Sequence, residues 1–119
     1  AETDEIARQE AEQPLLTSRA LGREGIANTR IGFKGNSESP TNTELGRVFQ
    51  GMTTSYDFWI DNGLALVGSP ETVIKQLQKQ SELCGYDIFC ANHRIGTLPL
   101  EQSLKSMKLF GEEVIPAFR

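Results

Sequence analysis

Two short apolar runs, Leu64-Ala65-Leu66-Val67 and the stretch from Tyr86 to Ala91, stand on either side of one helix-length segment, and this constrains the fold more than any other feature. Runs of that length bounded by turn residues suit strands buried on both faces, the environment of a parallel sheet. Between them, Gly68-Ser69-Pro70-Glu71 reads as a helix start. Gly68 allows the sharp turn, Ser69 caps, Pro70 takes the first helical position, and Glu71 sits near the positive helix end. Val73, Ile74, Leu77 and Cys84 share one face of this helix, Lys75, Gln76, Gln78 and Lys79 take the other, and Gly85 ends it. A strand, helix, strand connection of this length predicts parallel pairing with a right-handed crossover. Pro99 opens a last helix whose shared face holds Leu100, Leu104, Met107, Phe110 and Val114, and Pro116 ends it.

Upstream, residues 1–21 favour helix, with Thr3 able to cap and acidic residues in the first turn. Pro14 makes this two short helices or one kinked helix, ended by Gly22 or Gly25. Residues 22–42 carry Gly22, Gly25, Gly32, Gly35 and Pro40 among Asn and Ser, which is loop chemistry. So long a loop in a compact domain is a lid, a disordered stretch or a segment missing its packing partner. Its one aromatic residue, Phe33, could touch a ligand, though a lone apolar anchor is the simpler reading. Residues 43–63 read as helical again. Leu45, Val48, Phe49 and Met52 share a face there, aromatic residues follow, and Gly63 suits the left-handed position past the helix end.

At 119 residues the chain is sized for one domain with a core. No apolar run approaches the roughly 20 residues that span a bilayer, so membrane insertion is not expected. The 12 basic residues are scattered, whereas phosphate-backbone binding needs them clustered, so nucleic acid is not an expected partner either. Cys84 and Cys90 read as small buried hydrophobes, because two thiols and the lone His93 match no metal-ligand pattern. AETDEIARQE lacks the basic and apolar segments of a signal peptide, which makes the cytoplasm the expected compartment.

In parallel α/β folds ligands gather at the carboxyl ends of strands, which selects two loops, 68–71 and 92–97. Ser69 and the free N–H groups beside it could hold a phosphate, with plain helix capping as the simpler alternative. His93 and Arg94 lie just beyond the second apolar run, where a general base or an anion-binding cation would be placed, and Asn92 adjoins them. An exposed loop pair is the competing reading. Asp87, near the start of its run, reads as structural. No Ser-His-Asp order and no paired catalytic carboxylates can be assembled.

Several ordered segments resemble one family. Leu66-Val67-Gly68-Ser69-Pro70-Glu71-Thr72-Val73, Ile88-Phe89, Arg94-Ile95-Gly96-Thr97-Leu98-Pro99-Leu100-Glu101 and Leu109-Phe110-Gly111-Glu112-Glu113-Val114-Ile115-Pro116 resemble the end of the bacterial luciferase-like flavin monooxygenases, and the opening AETDEIARQEAE resembles a stretch after that family's sixth strand. This chain departs at Thr97, where a second Gly is common, and at Asn92-His93, where an aromatic residue or Gln is frequent. The resemblance implies an α/β fold, a partial (β/α)8 TIM-barrel-like segment holding the last two strands with their helices and completed by oligomerisation, since whole barrels run to about 250 residues. It implies a parent enzyme that oxidises an aldehyde, ketone or alkane with reduced FMN and molecular oxygen, served in some cases by a separate flavin reductase. Family flavin-binding residues lie largely on earlier strands, so the isolated chain is expected to be inactive. Ser69 and Asn92 are the candidate cofactor contacts, His93 and Arg94 the candidate catalytic residues, and no metal is expected. The alternative is a non-catalytic oligomerisation or flavin-binding module. A homo-oligomer follows from either, because two unpaired strands would need partners.

Overall fold

The computed structural model describes residues 1–30 and 55–119. Over these residues the order is helix α1 (Asp4–Arg30), a short helix α2 (Tyr56–Asp61), α3 (Pro70–Cys84) and α4 (Leu100–Leu109), followed by a π turn (Phe110–Val114) and a 3-10 turn (Ile115–Phe118). No strand forms among the described residues, which overturns the expected α/β class, its parallel pair at 64–67 and 86–91, and the TIM-barrel-like segment built on them. The physical reason is visible in the hydrogen bonding. An apolar run becomes a strand only when a neighbouring chain segment takes up its backbone groups. Here Gln76 and Gln80 on α3 reach back to the Val67 and Gly63 carbonyls at 3.3 and 2.7 Å, and the Leu64 and Ala65 N–H groups donate to the Trp59 carbonyl at 2.8 and 3.3 Å. The second run is not buried on both faces either: Ile88 is 82 % exposed and both cysteines are free and exposed, against their expected burial.

α1 is the element on which the others assemble. Thr3 begins it as expected, its Oγ1 accepting the Ile6 N–H at 3.3 Å, and Asp4 and Glu5 occupy the first turn. The helix continues through Pro14 and past Gly22 and Gly25 to Arg30. A glycine costs a helix only about 1 kcal/mol, less than tertiary packing supplies. The rest of the expected 22–42 loop, with Phe33, and residues 43–54 lie outside the described residues. Arg8 grips Asp57 on α2 with two hydrogen bonds, 2.7 and 3.2 Å, and lies 4.7 Å from the centre of the Tyr56 ring. Lys105 on α4 reaches Glu2 at 2.6 Å and Glu10 at 3.7 Å.

α3 behaves as its sequence demands. Ser69 Oγ accepts the Thr72 N–H, Pro70 occupies the first turn, and Gly85 closes the helix at φ +62. Gly63 likewise follows α2 at φ +66. Among the described residues the buried hydrophobic ones are Ala7, Leu15, Tyr56, Leu77 and Val114, a thin core where α1, α2, α3 and the π turn meet. α4 departs from expectation. Of its expected shared face, Leu100, Leu104 and Met107 are 56, 54 and 54 % exposed, Phe110 is half-buried and Val114 is buried, while Ser103 is buried with its hydroxyl donating to the Pro99 carbonyl at 3.3 Å. A helix rotates to satisfy all its contacts together. Lys105, held by Glu2 and by Glu10 of α1, and Ser106, held by His93, turn α4 so that Leu100 and Leu104 point outward while Leu109 lines the cleft side.

Candidate functional site

Where α1, the 63–68 segment, the 89–98 segment and α4 converge, they leave a cleft of about 360 Å³, within the range of small-molecule sites. Leu15, Trp59, Leu66 and Phe110 contribute apolar walls, and His93 and Ser106 face it. The sequence makes this cleft by packing failure of a specific kind: the two apolar runs, lacking a ladder, lie as open segments beside the helices and do not close over the space between them.

His93 is half-buried in the wall. Its Nδ1 lies 2.9 Å from Ser106 Oγ, and its ring meets Phe110 edge to face at 5.1 Å. Phe110 continues an aromatic row through Phe89, at 6.4 Å, to Tyr86, a further 6.0 Å along, whose hydroxyl donates to the Leu77 carbonyl at 3.1 Å. Burial pushes the His93 pKa below its ordinary value, so the imidazole is neutral at pH 7. A neutral imidazole bonded through one nitrogen to a hydroxyl keeps the other for a bound molecule, as an acceptor or a donor according to tautomer. The arrangement can take one proton from, or give one hydrogen bond to, an apolar ligand.

The other sequence candidates are placed differently. Asn92 lines the rim of the cleft, and its Oδ1 accepts the Arg94 N–H at 3.0 Å, a local turn that shapes the 92–97 loop. Arg94 is exposed and does not line the cleft. Ser69 does not line the cleft. Its Oγ is engaged by Thr72, and its N–H donates to Asp4 Oδ1 at 2.6 Å, while Thr72 Oγ1 donates to Asp4 Oδ2 at 3.0 Å. The Ser69 N–H, with help from the Thr72 hydroxyl, holds the Asp4 carboxyl below its ordinary pKa. An ionised carboxylate thus occupies the helix end where a phosphate would sit. Sequence reasoning did not select Asp4, Ser106 or Trp59 for these positions. Ser106 carried a faint signal as a hydroxyl on the helix after the His93 loop; Asp4, 65 residues from Ser69, carried none.

FMN would need a cationic or N–H-rich pocket for its phosphate. Its phosphate finds no Lys or Arg in the cleft wall, Glu10 lines that wall, and the α3 terminus is filled by Asp4, so the described residues do not fit the whole cofactor. A neutral organic molecule fits the apolar part. No group of three or more His, Cys, Asp or Glu side chains suited to a metal occurs among the described residues, and no described helix is long and apolar enough to cross a membrane. No protein family, curated protein or solved structure matches this chain.

Proposed function

We propose that this chain is a fragment or truncated relative of a luciferase-like flavin-dependent monooxygenase, one that keeps a cleft for the organic substrate and does not by itself bind FMN or turn over. The observation that supports it is the cleft: apolar and aromatic walls, a half-buried histidine whose pKa burial lowers, and, among the described residues, no Lys or Arg in the lining to receive a phosphate. The segments 66–73 and 94–101, which resemble the flavin monooxygenases, favour that chemistry. In this reading, reduced FMN and oxygen supply the oxidation in the complete enzyme, and this chain's residues orient the substrate. Trp59 and Phe110 exclude water, and His93 makes the polar contact to a carbonyl oxygen.

Trp59, the single tryptophan, lines the cleft and reports on it directly. Titration with a medium-chain aliphatic aldehyde or ketone should change its emission saturably, whereas oxidised or reduced FMN should leave it, and the flavin fluorescence, unchanged. Loss of the aldehyde response would sink the reading. Tight FMN binding would overturn its exclusion of the cofactor and favour a flavin-binding module. A second reading, a non-catalytic oligomerisation module, is favoured by the apolar residues that α4 leaves exposed.

A further inference from the structure

We infer that the outer face of α4 pairs antiparallel with the same helix of a second copy, about a two-fold axis passing between Leu104 and Lys105. The inference rests on the second reading above for the existence of self-association and adds the surface. Leu100, Leu104 and Met107 recur at the spacing of one helix face and stand more than half exposed, a seam of the kind helices bury against each other. What selects a second copy as the occupant is the charge beside that seam. Glu101 and Lys108 lie two turns apart on the same flank, both exposed, and neither has an ion-pair partner among the described residues. In an antiparallel pair the like flanks face each other. Glu101 of each copy therefore meets Lys108 of the other, twice by symmetry, and Leu104 packs across the axis. Two-fold interfaces require this self-complementarity, which a parallel pairing of the same helix lacks because it sets the Glu101 and Lys108 flank against the opposite flank, where Ser103 and Ser106 stand and offer no charge. Lys105 does not interfere. Its ammonium is turned back onto Glu2 and Glu10 of its own chain, leaving its stem to flank the partner's Leu104.

One helix pair is a small interface, so the dimer is weak, and sedimentation of the full chain should span about 10 μM to 1 mM. The expected result is a reversible monomer–dimer equilibrium. Leu104→Glu should leave monomer throughout. Glu101→Lys and Lys108→Glu should each weaken the dimer about tenfold, since each turns two attractive pairs into two repulsive ones, and the double exchange E101K/K108E should restore it. Circular dichroism checks that each variant folds; should Leu104→Glu unfold, the charge exchanges, confined to exposed positions, decide alone. A monomer at 1 mM would overturn both the inference and the second reading. A dimer indifferent to Leu104→Glu, or to the single charge changes, would overturn the inference while leaving self-association through another surface.

Discussion

Gly96 shows how one residue joins the candidate site to the scaffold. It stands at φ +54, and a Cβ there would lie 2.6 Å from the Pro14 carbonyl oxygen and 3.0 Å from Ser18 Cβ on α1. Gly85 has a similar φ, +62, with open space around it. The pair separates two energies. Gly85→Ala should cost only the left-handed penalty, about 1 kcal/mol, and Gly96→Ala about 2–4 kcal/mol, because the loop must also back away from α1. Urea unfolding with unchanged slope measures both, and equal losses would mean that the 92–97 loop does not pack on α1 as described. His93 gives a second test at this scale. Its folded pKa lies below the unfolded one, so the unfolded chain binds the proton more readily; the resulting stability is whole above about pH 6.5 and is lost as pH falls through the lower folded value. The urea midpoint should therefore drop between pH 7 and pH 5, and His93→Gln should flatten that drop. An unchanged slope in the variant would assign the pH dependence elsewhere.

At the scale of elements, α3 was legible almost residue by residue because its start and stop signals are local: Ser69 caps over three residues, Pro70 fixes its own φ, and Gly85 supplies the left-handed end. The helix start has a further, non-local half. Asp4 caps it from α1 by accepting from Ser69 and Thr72. Asp4→Ala should destabilise the fold by about 1–2 kcal/mol, as loss of a carboxylate bonded to two donors does, and Asp4→Asn by less. Because the folded pKa of Asp4 is depressed, its contribution is present above about pH 4 and disappears as pH falls through the folded value. Thermal unfolding of the native and Asp4→Ala chains should converge in acid, and a gap that persists at pH 2 would refute the capping role. Strands were illegible for the opposite reason. The apolar runs at 64–67 and 86–91 carry the composition of buried strands, but pairing is decided by other segments, and here glutamine side chains and turns take up the backbone groups of the first run. The site shared this fate. His93 was found from its place after the second run, even though that run forms no strand, while Ser106 and Trp59 joined it through packing that no local pattern encodes.

For the molecule as a whole, the described core is thin and the apolar surface left outside it is broad, and that imbalance has a thermodynamic consequence. Burial of five hydrophobic side chains leaves Leu83, Ile88, Leu100, Leu104, Met107 and Phe118 well exposed, so the folded monomer forgoes hydrophobic stabilisation that its composition could provide. Association that buries part of this surface stabilises the folded state by mass action, and the melting temperature then depends on protein concentration. Above the dissociation constant, each tenfold increase in concentration should raise Tm by about 2–3 °C for a chain of this size. Leu104→Glu should abolish that slope while leaving Tm at low concentration unchanged, because Leu104 is exposed in the monomer. The two limbs have different causes. A lower Tm at every concentration would mean that Leu104 belongs to the monomer's own core, whereas an intact slope would place the stabilising contact on another face. Scanning calorimetry on both chains from about 10 μM to 1 mM distinguishes these outcomes, and aldehyde added at low concentration raises Tm independently of the slope if the cleft binds it.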